Sequence, residues 1–291
     1  MLPSFLRGAF ESFSDHVVYT SSLYGDLRSQ VTEMGSSLID FEREPRSDAD
    51  RRCRRVAECI RPFDTGQTLV RVGGDADGAY VMADDFHAAA AISVGVGHDV
   101  SWDMAVASHG VPVHMFDPTV QGPPSPVPSG TFHAIGIGTS AQAERSGLNL
   151  RPLDALATMA DAPEHADLIL KIDVEGAEWE ALAATASLDR YRQIVLELHD
   201  LEQLADSASG IRIVSVLERL NETHVSVHAH ANNDAPLAHF NAYWLPSVLE
   251  VSYVRRDLAT TIIPATSMRE DLDRPSNPRF ADLSLRGLLS L

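Results

Sequence analysis

The segment Leu168-Ile-Leu-Lys171-Ile-Asp173-Val-Glu175-Gly176-Ala-Glu178 reads as a short apolar strand that breaks at a glycine and enters a helix, leaving carboxylates at the junction. The pattern recurs on both sides. Short β-branched runs cover Leu69 to Val72, Tyr80 to Ala83, Ile92 to Val96, Val111 to Phe116, Phe132 to Ile137 and Ile194 to Leu198, with helical stretches between them. Strands that alternate with helices predict an α/β fold on a mostly parallel, doubly wound sheet. Beyond the amphipathic stretch Ile211 to Leu220, the runs Val225 to Ala229 and Val248 to Val254 are separated by an Asn-rich connection and Pro246, which predicts a closing antiparallel pair. Ligands of such sheets bind outside the carboxyl ends of the strands, so Asp173 is expected to face a crevice there.

A second strand end points to the same crevice. Ile92-Ser-Val-Gly95-Val-Gly97-His-Asp99 runs from an apolar strand into a glycine turn, followed by a helix from Ser101 to His109 that Gly110 stops. Free N–H groups at the start of that helix and a turn without side chains suit a nucleotide-like ligand. Asp117 ends the next strand, twenty residues past Gly97, where an acid can accept two hydrogen bonds from a ribose diol. The turn is GxGxxS instead of GxGxxG, and Asp99 repels a pyrophosphate but can pair with a cationic amino-acid group. S-adenosylmethionine therefore fits better than NAD, with Gly95, Gly97, Asp99 and Asp117 as its candidate contacts.

Asp173 and Glu175, two residues apart in a turn, are candidates to divide metal binding and proton abstraction. Glu175 and Glu178 also complement the dipole of the helix they begin, which is the structural alternative to a functional role for each. Glu197-Leu-His199 ends another strand with both polar side chains on one face, and His228-Ala-His230-Ala-Asn232-Asn233 repeats the spacing. Three histidines beside three acids at one sheet edge predict a site, with His228, His230, Asn232 and Asn233 assigned to the acceptor.

Charge excludes other classes. The 291 residues carry 23 basic and 41 acidic side chains, a formal charge of −18. This acidic excess argues against a broad electrostatic grip on nucleic acid or anionic lipid, so neither is expected as a partner. The one lysine, Lys171, alternates to the same strand face as Asp173 and can orient that carboxylate. Cys53 and Cys59 lie six residues apart on a helix and point different ways, which predicts reduced thiols in a cytoplasmic protein. The sequence contains no signal peptide h-region and no run of eighteen apolar residues. Residues 1–62, with Leu23, Leu27, Val31 and Met34 at helical spacing, are expected to form a helical N-terminal extension and a possible homodimer surface. A catalytic domain over 63–263 and a Pro-, Asp- and Arg-rich tail over 264–291, packed on the core, complete the expected organisation.

Lys171-Ile-Asp-Val-Glu-Gly-Ala-Glu178 resembles the signature of FkbM-type methyltransferases, and further blocks follow in the order of that family: Arg71-Val-Gly73 with Asp77-Gly-Ala-Tyr80, Ile92 to Asp99, Phe116-Asp-Pro-Thr119, Leu196 to His199 and His228 to Asn233. The resemblance runs from about residue 68 to 255. It implies the class I fold, a seven-stranded Rossmann-like sheet, with O-methylation of a sugar, oligosaccharide or glycosylated product. It also implies that Asp77 and Tyr80 line the donor pocket, although Ala79 stands where the family has a second glycine. Related sugar methyltransferases hold a divalent ion after these strands, which would place Mg²⁺ on Asp173, Glu197 and His199, with His199 or Glu175 taking the proton. Two rival readings are a nicotinamide-dependent oxidoreductase on the same kind of sheet and a non-catalytic module that binds an anionic partner through Arg51-Arg-Cys-Arg-Arg55.

Overall fold

The computed structural model of the protein describes Val17–Val18 and residues 43–75 and 77–291. Its centre is a seven-stranded sheet: β1 (Ala90–Val94), β2 (Val113–Phe116), β3 (Gly130–His133), β4 (Leu168–Ile172), β5 (Tyr191–Leu198), β6 (His224–Ala231) and β7 (Leu249–Arg255), in the spatial order β6-β7-β5-β4-β1-β2-β3. Neighbours from β3 through to β5 run parallel. Only β7 is reversed, inserted antiparallel between β5 and β6. The chain winds outward in both directions from β1 and β4, so the topological switch lies between the strand that ends at Gly95 and the one that ends at Asp173.

Both central strands are buried at every position because helices cover both faces, which is why they read as continuous apolar runs. The period of two still sorts them. Leu168, Leu170 and Ile172 of β4 pack with Val56 of α1 (Asp48–Ile60), Leu156 of α4 (Leu153–Met159), Leu182 of α5 (Glu178–Ala184) and Leu217 of α6 (Ser207–Thr223). Ile169 turns to the other face, against Trp102 and Val106 of α2 (Ser101–Ser108). A further helix, α3 (Ser140–Ser146), follows β3 and is started by a capping box between Thr139 and Gln142.

Three expectations shift. Leu69–Val72 and Tyr80–Ala83 are strands, but they pair antiparallel with each other outside the main sheet. The seven residues between them suffice for a hairpin and are too few for a parallel crossover. The run Phe132 to Ile137 splits, its second part, Gly136–Ile137, pairing with Leu150–Arg151. In the N-terminal extension α1 is a helix, whereas Val17–Val18 pairs with Leu237–His239; Leu23, Leu27, Val31 and Met34 lie outside the described residues.

The arginines of α1 are engaged within the protein. Arg51 meets Asp48, Arg55 bonds Glu58 and Glu218, and Arg52 donates to the carbonyls of Leu204 and Ala205. Cys53 and Cys59 are buried and free, and burial pushes the Cys59 thiol up to about 11. The tail anchors through Met268, Leu283, Leu285 and Leu288. Among the described residues no helix is long and apolar enough to cross a membrane.

Candidate active site

At the carboxyl ends of β1, β2 and β4 lies a cavity of about 830 Å³. Gly95, Gly97, Asp99, Asp117, Asp173, Glu175 and Asp77 all line it, together with the apolar side chains of Phe116, Ile137, Leu148 and Leu150. A volume of this size holds a ligand of several tens of atoms. The two glycines of the turn serve different ends. A Cβ on Gly95 would stand 1.6 Å from the Asp173 carbonyl oxygen, so this glycine lets the ends of β1 and β4 pass each other. A Cβ on Gly97 would meet nothing within 4 Å, because that residue faces open space.

Asp117 fixes the turn from the side of β2. Its Oδ2 accepts from the N–H groups of Val96 and Gly97, each at 3.0 Å, and its Oδ1 accepts from the N–H and hydroxyl of Thr119. Burial pushes this carboxyl up, but the four donors outweigh it and leave it below the ordinary aspartate value. Asp99 accepts from the Ser101 N–H at 2.7 Å. Ser101 in turn accepts from Gly74 N at 2.9 Å, tying the hairpin loop to the start of α2. Tyr80 is placed differently from the sequence expectation. Its ring is buried and does not line the cavity, and its hydroxyl donates to Asp173 Oδ2 at 3.1 Å.

Beside the cavity the acids converge on one imidazole. His199 Nε2 stands 3.5 Å from Glu175 Oε2, 3.8 Å from Glu197 Oε2 and 4.0 Å from Asp173 Oδ1. Ligand atoms of Asp173, Glu175 and His199 lie within 4.8 Å of one another, as do those of Asp77, Glu197 and Glu250. Glu197 stands near both groups, 3.8 Å from His199 Nε2 and grouped with a hairpin aspartate and a β7 glutamate. Burial, then the charge of Asp173, pushes Glu197 well up, whereas Lys171 and the Glu197 proton hold Asp173 down despite its burial. The opposite directions are those of two close carboxylates, each disfavouring the other's charge.

His199 is held by its backbone. Glu178, fully buried, accepts from His199 N at 2.7 Å and from Gly176 N at 2.9 Å, while Trp179 Nε1 donates to the His199 carbonyl at 2.8 Å. Burial pulls the His199 ring down, yet Glu178 and the other acids raise it above the usual imidazole value. Glu175 and Asp200 both adopt left-handed backbone, at φ of 51° and 58°, on either side of this imidazole. Strain of this kind persists only where surrounding contacts enforce it.

The last predicted block is built into the protein's own tail. His228 Nε2 bonds Asp273 at 2.8 Å, His230 bridges Glu250 and Asp282, and Asn233 donates to the carbonyls of Asn277, Phe280 and Ala281. All three are buried. Two of the block's four predicted residues reach the acidic cluster: Asn232 donates to Glu197 Oε1 at 2.9 Å, and His230 meets Glu250. Sequence reasoning missed Glu250, whose strand carries no motif, and the α3 face with Gln142 and Arg145 that closes the cavity. The capping box was there to be read, but it announces a helix start and nothing about a ligand.

The methyltransferase FkbM domain matches residues 77–224, half of the chain. No curated protein and no solved structure matches it. The matched span opens at Asp77 and takes in the glycine turn, Asp117, Asp173 and His199. With a glycine turn, a strand-end aspartate and an acidic cluster around one cavity of a seven-stranded class I sheet, the chain belongs to the FkbM family of S-adenosylmethionine-dependent methyltransferases.

Proposed function

We propose that this methyltransferase acts on a hydroxyl oxygen of a sugar, oligosaccharide or glycosylated product, with a divalent cation, Mg²⁺, at the acidic cluster. The observation that carries the reading is the convergence of Asp173, Glu175 and His199 beside the donor cavity. S-adenosylmethionine supplies a sulfonium methyl that is already electrophilic. The residues present suit it: the wall of Phe116, Ile137, Leu148 and Leu150 accepts an adenine, Asp117 a ribose diol, and Asp77 and Asp99 a cationic amino group. All four acceptor positions of Asp117 are taken, so the diol displaces the Thr119 hydroxyl, which is free to rotate.

A sugar hydroxyl is a weak nucleophile at neutral pH and needs positioning and a base. The carboxylate oxygens of Asp173 and Glu175 form a hard donor set that fits Mg²⁺, which would supply Lewis acidity toward a hydroxyl oxygen. Asp173 and Glu175 would hold it. His199, clamped through its backbone by Glu178 and Trp179, takes the hydroxyl proton on Nε2 while the new carbon–oxygen bond forms and the methyl–sulfur bond breaks. Tyr80 keeps Asp173 oriented throughout.

The test is ¹³C-methyl-labelled S-adenosylmethionine with a panel of glycans and glycosylated small molecules, in EDTA and after Mg²⁺ is restored. A methoxyl product that forms only with the cation is the expected result. Labelling on nitrogen or carbon would refute the hydroxyl acceptor, and an unchanged rate in EDTA would refute the cation.

A further inference from the structure

Lys171 is the only lysine of the chain and is 3% exposed. On β4 it follows Ile169 on the face toward α2 and the hairpin, where an apolar side chain would pack with Trp102 and Val106. Instead its Nζ donates to the Gly95 carbonyl at 2.9 Å and stands 3.5 Å from Asp173 Oδ2. It also lies 5.6 Å from the centre of the Tyr80 ring, whose hydroxyl donates to that same carboxylate oxygen. Behind it, Asp103 of α2 is buried and interacts with the same ammonium. A buried ammonium persists only where acids and acceptors surround it, and this one has both.

The Gly95 carbonyl is the first polar group of the donor turn, and the next two N–H groups of that turn go to Asp117. Lys171 therefore holds one end of the turn and Asp117 the other. Among the described residues no other donor bonds the Gly95 carbonyl. From this we infer that Lys171 is a positioning residue that couples the donor turn to the acidic cluster, so that the charge at Asp173 and the affinity for the donor are linked through one ammonium. Linkage of this kind is reciprocal: whatever engages Asp173 changes the hold on the donor, and the donor changes the hold on Asp173. The inference rests on the donor reading of the cavity and is independent of the acceptor.

Calorimetry with S-adenosylhomocysteine on wild type, Lys171→Met, Asp173→Asn and the double variant tests it, since this ligand needs no acceptor and no methyl transfer. Removing the ammonium leaves a buried carbonyl unpaired, so Lys171→Met is expected to weaken binding about tenfold or more. The double variant is expected to differ at least about fivefold from the product of the two single effects. Losses that multiply within about twofold would overturn the coupling. If Lys171→Met does not fold, Lys171→Arg enters the same cycle, keeping charge and donors in a different shape. In turnover the Lys171 variant is expected to raise KM for the donor and to lower kcat together. A lysine needed only for folding would reduce the active fraction and leave KM unchanged, which would also overturn the inference. Failure of the sugar-hydroxyl proposal would leave the binding cycle intact, so the two can fail separately.

Discussion

Gly95 and Gly97 look alike in the sequence, yet the structure gives them opposite tolerances. Both have positive φ, 84° and 50°. Gly95→Ala drives a methyl into the Asp173 carbonyl and should cost several kcal/mol, enough to prevent recovery of folded protein. Gly97→Ala meets no atom, so its cost should be limited to the left-handed backbone, about 1 kcal/mol, with the methyl entering the donor cavity. Thermal melts of the two variants check this, and equal melting temperatures would refute the division of roles. For Asp117→Ala the expected result is a loss of S-adenosylhomocysteine affinity of about tenfold or more, read by calorimetry, because the carboxylate holds the turn and, on the proposed reading, would meet the ribose. The sequence also made Glu178 a dipole partner of α5. At 0% exposure, with the N–H groups of Gly176 and His199 on it, the same residue is the clamp that fixes the imidazole. The distinction was invisible in sequence because the His199 backbone comes from the neighbouring strand.

Among the elements, β4 was the most legible, since a buried apolar run ending in Asp-Val-Glu-Gly has few alternatives. The hairpin Leu69–Val72 and Tyr80–Ala83 was read as two sheet strands because β-branched runs look the same inside a sheet and outside it; only the short connection distinguishes them. On β6, the block His228 to Asn233 was read as facing an acceptor, whereas the tail supplies most of its partners. Contacts between β6 and a segment some forty residues later leave no local signal. The first residue of β6 carries a further consequence. Burial pulls His224 down to about 4, while its bond to the Tyr191 carbonyl acts the other way. Between roughly pH 6.5 and 4 the unfolded chain binds a proton that the folded chain refuses, so stability falls as pH drops through that window and this contribution is flat above it. The difference is about 3 kcal/mol across the window. Denaturation of His224→Gln at pH 7 and pH 4.5 should show a shallower acid loss than wild type, and an identical loss would contradict the assignment.

At the scale of the molecule, the acids behind the −18 charge are unevenly placed. Asp77, Asp173, Glu175, Glu197 and Glu250 form two adjoining groups, with His199 beside Asp173, Glu175 and Glu197, His230 on Glu250, and the single lysine beside Asp173. Concentrating them there is costly for stability and is the strongest mark of chemistry on the surface. The tail belongs to the same construction, for it engages β6 next to Glu250 and buries Leu283, Leu285 and Leu288. Deleting residues 264–291 should lower the melting temperature by several degrees, read by calorimetric scanning, since three buried leucines contribute about 2 kcal/mol each. An unchanged melt would show that the tail is not part of the core.

The proposal stands on His199 acting on the acceptor without touching the donor. The most direct measurement is paired turnover and S-adenosylhomocysteine binding for His199→Gln, with the ¹³C-methyl product identified on oxygen for wild type. The account predicts a fall in kcat of about a hundredfold or more with donor affinity unchanged within about twofold. Full turnover by the variant, or a loss confined to donor binding, would contradict it.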